Sequence, residues 1–126
     1  MDTVLDTNFV LFAFQKKANW KALLEDLLDK ALEPIILSPS VQELKMLAAS
    51  KKQLEKKAAK AALKWIESGG AKVVEASGRS DKAILDFAAA NKKAIVCTND
   101  KRLKQLLTAK GVKVVCLRSS GSLCLC

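Results

Sequence analysis

Val4-Leu5-Asp6-Thr7-Asn8-Phe9 is the stretch from which the fold can be read. A short apolar run ends on one carboxylate, and an amphipathic segment begins at once after it. A buried parallel strand delivers an acid in this way to the edge of a sheet, where the backbone turns into a helix. An Asp at such a turn also serves as a plain helix cap. Three more acids, Glu43, Asp81 and Asp100, recur far away in sequence in the matching topological place; each has a capping or helix-dipole reading of its own, and it is their recurrence that lifts the functional reading.

Working outward, Thr3 to Leu5 reads as the first strand and Asn8 to about Lys17 as a helix. Asn19 caps a second helix in which Trp20, Leu23, Leu24, Leu27, Leu28 and Ala31 recur at helical spacing, and Pro34 is expected to end it. Ile35-Ile36-Leu37 is a buried-type strand. The next helix opens on Ser40-Val41-Gln42-Glu43, the pattern of a capping box. A further helix from about Lys51 to Ser68 carries Leu54, Ala58, Ala61 and Trp65 on its apolar side and stops at Gly69-Gly70. Its Lys52, Lys56, Lys60 and Lys64 form a ridge at spacing four, the pattern of a solvated face.

Val73-Val74 makes a third strand, and Ser80 caps a helix beginning at Asp81. Ala94 to Cys97 is the fourth strand, leading through Thr98-Asn99-Asp100 into a helix that Gly111 closes. Val112 to Leu117 is the fifth. Residues 1–118 are expected to form the domain and residues 119–126 a short tail, able to return as an edge hairpin. Strands alternating with helices give an α/β fold of three layers, a parallel sheet covered on both faces. Ligands of such sheets sit beyond the carboxyl ends of the strands, where the winding reverses.

A chain of 126 residues fits one domain with a core of its own. No apolar run approaches the roughly 20 residues that span a bilayer. The first strand starts almost at Met1, so no signal peptide and no membrane attachment are expected, and the reading is a cytoplasmic protein. The chain has no His and no CxxC pair, which argues against structural zinc; the four cysteines read as small apolar residues of a reducing compartment. Without His, histidine-based triads and acid–base schemes are excluded. The formal charge is +9, from 22 Lys plus Arg against 13 Asp plus Glu, and a small basic domain attracts polyanions, nucleic acid first.

Carboxylates gathered without a cation repel: at an effective dielectric near 20, two like charges about 4 Å apart cost roughly 4 kcal/mol. Asp6, Glu43, Asp81 and Asp100 are therefore expected to converge on a hard divalent cation, Mg²⁺ or Mn²⁺. Such an ion has room for a phosphate oxygen and a water whose pKa it lowers, so no His base is needed. Lys45, Arg79, Lys82, Lys101 and Arg102 stand near enough in sequence to hold a phosphate backbone. The chemistry expected is metal-dependent phosphodiester hydrolysis.

VLDTNFVL, SPSVQEL, SDKAI and AIVCTNDKRLK, in that order and spacing, resemble the four motifs of the PIN-domain ribonuclease family, especially its small archaeal members. The resemblance covers nearly the whole chain. It implies a five-stranded parallel sheet of order 3-2-1-4-5, a Mg²⁺ or Mn²⁺ site and cleavage of single-stranded or structured RNA, an endoribonuclease activity. Carried over, Asp6, Glu43, Asp81 and Asp100 are the catalytic and metal-binding acids, with Asn8 and Thr98 at supporting polar positions. The family includes VapC toxins neutralised by an antitoxin protein and nucleases that process ribosomal RNA precursors. The CTNDKRLK stretch leans toward the processing group, and a homodimer is compatible with either. The competing reading is a non-catalytic RNA-binding module or ribosome assembly factor.

Overall fold

The computed structural model describes residues 1–126. Five strands run parallel: β1 (Asp2–Leu5), β2 (Glu33–Leu37), β3 (Lys72–Val74), β4 (Ile95–Cys97) and β5 (Lys113–Leu117). A sixth, β6 (Leu123–Leu125), returns antiparallel along β5, giving the order β3-β2-β1-β4-β5-β6. The 3-2-1-4-5 order is thus present, and the tail extends the sheet to six strands. The winding reverses between β1 and β4, whose register pairs Leu5 with Cys97 and so brings the ends of both strands side by side.

Residues along each central strand alternate between two buried faces, which is why these strands are apolar throughout. Leu5, Ile36, Ile95, Cys97, Val115 and Leu117 face one core, beneath α1 (Thr7–Gln15), α2 (Trp20–Leu28), α3 (Ser38–Ala48) and α4 (Gln53–Glu67). Val4, Ile35, Leu37, Val96 and Val114 face the other, beneath α5 (Ser80–Ala90) and α6 (Lys101–Ala109). On the first face, rings tie the helices together. Trp20 meets Phe9 and Trp65 edge-on, with centroids 5.9 and 6.2 Å apart, and Phe14 also contacts Trp65. Gly70 lies against the Trp65 indole so closely that a Cβ there would sit 2.3 Å from it.

Six local expectations are corrected. Asn19 sits at the N-cap of α2 but its side chain makes no cap bond, and Ser80 is the first residue of α5, with Arg79 at the N-cap. Pro34 does not end α2, which stops at Leu28 with Asp29 in the left-handed conformation. It lies instead in β2, opposite Thr3. β3 pairs only from Ile35 onward, so the missing N–H falls where no third strand needs it. Ser40 caps nothing. The helix already begins at Ser38 with Pro39 in its first turn, and Ser40 is buried with its hydroxyl unpartnered. Leu54 points to solvent at 76% exposure, because α4 packs through Ala58, Ala59, Ala62 and Ile66. The cysteines are not all free thiols: Cys116 of β5 is bonded to Cys126, while Cys97 is buried and free and Cys124 half-buried and free.

Candidate active site

The carboxyl end of the sheet opens into a cleft of about 740 Å³, lined by Asp6, Glu43, Asp81 and Asp100 among its polar walls. Each acid arrives on a different element. Asp6 follows β1, Asp100 follows the β4 strand and its Thr98-Asn99 turn, Glu43 projects from the second turn of α3, and Asp81 from the first turn of α5. The cleft lies where β1 and β4 part company, as the topology requires.

Separate donors fix these acids. Thr98, fully buried, donates its hydroxyl to Asp6 Oδ2 at 2.7 Å and accepts the backbone N–H of Asp100 at 3.1 Å. The Thr7 hydroxyl donates to Glu43 Oε1 at 2.7 Å. Asp100 Oδ1 accepts the Leu103 N–H at 3.0 Å, a true N-cap of α6. Asp81 Oδ1 accepts the Lys82 N–H at 2.9 Å, with the exposed Arg79 guanidinium 3.9 Å away. By contrast, Asp6 occupies the N-cap position of α1 without capping it. The second oxygens of Glu43, Asp81 and Asp100 accept no hydrogen bond from the protein.

Asp6 is the buried member of the set, with 7% of its surface exposed. Burial pushes its carboxyl above the ordinary value. The Thr98 hydroxyl and the Thr7 backbone N–H pull the other way, and the charges of Glu43 and Asp100 push it up again. No three of the carboxylates bring ligating atoms within 4.8 Å of one another. The only three side chains with metal-ligating atoms all within 4.8 Å of one another are Cys116, Cys124 and Cys126. The acids line a shared space rather than sharing hydrogen bonds, which is the arrangement a cation between them would need. The donor set is oxygen alone in a chain without His, and it therefore fits a hard cation such as Mg²⁺ or Mn²⁺.

Among the other expected residues, Asn8 lines the cleft, exposed, and Thr98 lies beneath it. Of the cations, only Arg79 lines it directly. Lys82 and Arg102 line a smaller adjoining hollow with Asp81 and Asp100, and Lys82 also pairs with Asp86 at 3.7 Å. Lys45 and Lys101 are exposed and line neither. The sequence reading passed over four residues. Glu75, directly after β3, is a fifth carboxylate lining the cleft. Thr7 positions Glu43. Ser38 bridges to Ala76, its hydroxyl donating to the carbonyl and accepting from the N–H, both at 3.0 Å, and so fastens the loop after β3 to the start of α3. Asn99 forms two bonds with Leu117 of β5, Nδ2 to the carbonyl at 2.9 Å and the Leu117 N–H to Oδ1 at 2.8 Å, locking the turn between Thr98 and Asp100. Asn99 carried a signal, as the middle of a Thr-Asn-Asp turn, and so did Glu75, an acid directly after the Val73-Val74 strand.

The PIN like domain family profile matches residues 3–120. Ribonuclease VapC4 of Methanocaldococcus jannaschii is 38% identical over 118 residues, covering 91% of this chain and 88% of that protein. Ribonuclease VapC9 of Archaeoglobus fulgidus is 32% identical over 112 residues, covering 88% and 78%. Among solved structures, the PIN domain endonuclease Utp24 superposes with a TM-score of 0.80 at 22% identity, covering 98% of this chain and 90% of that one. A chain of VapBC2 from Rickettsia felis, bound to a DNA fragment from their promoter, gives 0.63 at 20% identity, covering 92% and 98%.

Proposed function

The chain belongs to the PIN-like domain family, and on that premise we propose that it is a divalent-metal-dependent endoribonuclease of the cytoplasm. The observation that carries the reading is the cleft itself: at the reversal of a parallel sheet it gathers five carboxylates, and four of them, from four elements, are each oriented by a donor of their own. Asp6, Glu43, Asp81 and Asp100 would hold Mg²⁺ or Mn²⁺. When bound, the ion supplies Lewis acidity toward a phosphoryl oxygen and makes water a usable nucleophile near neutral pH.

The chain's own part is positioning and charge. Thr98 and Thr7 each occupy one carboxylate oxygen, fixing the direction of the other. Burial of Asp6 leaves a carboxylate short of countercharge, which favours a cation in the cleft. Arg79 at the rim is placed to meet a phosphate. Only three ion pairs, all at the surface, engage the 22 Lys and Arg side chains, so most of the positive charge is available to an RNA backbone.

Sequence similarity to two proteins named ribonuclease VapC favours a VapC-type enzyme held in check by an antitoxin protein over a ribosomal RNA-processing role. The test is incubation of the purified chain with single-stranded RNA. Cleavage with Mn²⁺ or Mg²⁺, abolished by EDTA and by Glu43→Gln, is expected. RNA binding without cleavage under any divalent ion would make the chain a binding module instead.

A further inference from the structure

At the opposite edge of the sheet from β3, three sulfurs crowd together. Cys116 and Cys124 are direct partners across the β5–β6 pair, and Cys126, just beyond β6 with its N–H bonded to the Val114 carbonyl, continues the alternation so that its side chain shares a face with Cys124. Cys116 and Cys126 are bonded, Cys124 Sγ lies 3.9 Å from Cys126 Sγ, and all three Sγ atoms fall within 4.8 Å of one another. All three residues are half-buried, so the cluster sits at the surface with one side in the second core and the other open to solvent. No carboxylate belongs to the group, and the chain has no imidazole.

We propose that Cys116, Cys124 and Cys126 form a second metal site, specific for one Cu⁺ ion and opened by reduction. An external dithiol supplies two electrons and two protons. The Cys116–Cys126 bond breaks to two thiols, and the dithiol closes to its own disulfide. Cu⁺ then bonds to the three sulfurs, and the three S–H protons pass to solvent. Soft thiolates select Cu⁺ and Zn²⁺ over hard cations. Zn²⁺ in structural sites takes four protein ligands, and here the fourth is missing. Three sulfurs and nothing else suit trigonal Cu⁺. Oxidised or metal-loaded, the cluster fastens β6 to β5; reduced and empty, only the strand pairing holds it.

The experiment uses the whole chain, reduced with a phosphine under anaerobic conditions, desalted, and titrated with Cu⁺ against a chromophoric Cu⁺ chelator. One Cu⁺ per chain is expected, with affinity at least tenfold lower in Cys124→Ser. That variant keeps Cys116 and Cys126 and removes only the third sulfur. Undiminished binding by Cys124→Ser would overturn the three-sulfur assignment. Uptake of Zn²⁺ in place of Cu⁺ would overturn the trigonal one, and no uptake at all would overturn the site. A second measurement on the unsubstituted chain guards against misfolded variants. Cu⁺ should protect Cys116, Cys124 and Cys126 from alkylation, read by peptide mass, while Cys97 stays unmodified throughout because burial pushes its thiol far above the ordinary value. Equal alkylation of the three with and without Cu⁺ would refute the proposal.

Discussion

Thr98→Val removes one hydroxyl and nearly nothing else, yet two acids of the cleft depend on it. The Thr98 side chain is fully buried, donates to Asp6 at 2.7 Å and accepts from the Asp100 N–H at 3.1 Å. A hydrogen bond to an ionised group is worth about 1.5–3 kcal/mol, and orphaning a backbone N–H costs about 1–3 kcal/mol. The second loss falls at the low end, since Asp100 borders the open cleft. Relief from burying a hydroxyl offsets part of the total, leaving a destabilisation of about 3 kcal/mol. For a domain of this size that lowers Tm by roughly 10 °C. The same change removes a donor that favours the ionised form of Asp6, so protons compete better with metal. Half-maximal cleavage should then need about tenfold more Mn²⁺, the usual cost of losing a partner that orients a ligand. Thermal melting without metal and a Mn²⁺ titration of RNA cleavage read the two effects, and Thr98→Ser should restore the metal response. A Thr98→Val protein that melts within about 2 °C of the parent and keeps its Mn²⁺ dependence would refute this account.

Asp6→Asn should stabilise the metal-free protein at neutral pH, because the folded-state carboxyl titrates above its unfolded value and its charge is a cost there. The gain should shrink as pH falls through the raised pKa and vanish below about 3.9, where the carboxyl is neutral in both states; a gain independent of pH would contradict the assignment. Asp100→Asn should abolish cleavage while keeping the cap on Leu103, whereas Asp100→Ala should also lose about 1 kcal/mol of stability, so equal melting of the two would deny Asp100 its cap. Gly70→Ala should cost about 1–3 kcal/mol through collision with the Trp65 indole, measured by urea denaturation, and an unchanged midpoint would show that the ring moves aside freely.

Much of this was legible because the chain keeps local and global signals in agreement. Apolar strands ending in acids fixed the parallel sheet and its functional edge, and the order 3-2-1-4-5 followed from the resemblance of four spaced motifs. The misreadings share a cause, which is that a local pattern was taken at face value where a tertiary contact decides. Ser40 and Glu43 have capping-box spacing, but Thr7, 36 residues away, takes the Glu43 carboxylate. Pro34 resembles a helix stop until β3 is seen to begin its pairing one residue later. Leu54 fits the apolar period of α4, which nevertheless packs through alanines because α3 lies close. Thr7 and Ser38 carried no signal, since a hydroxyl beside a strand end looks the same whether it meets solvent or a carboxylate. The Cys116–Cys126 bond depends on a hairpin register that spacing alone does not give.

Asn99 turns a side chain into a rung of the sheet. Its amide makes with Leu117 the two bonds that a neighbouring strand's peptide would make, so the main chain is free to leave β4 early and present Asp100. Asparagine is among the thermolabile residues. Hydrolysis of the Asn99 amide, taking up water and releasing ammonia, would set a carboxylate oxygen against the Leu117 carbonyl where a donor now sits at 2.9 Å, unpinning the turn that carries Thr98 and Asp100. Such damage at Asn99 would reach the cleft through an amide that never enters it, and its fingerprint would be a mass gain of about one unit on the peptide holding residue 99 in step with falling activity.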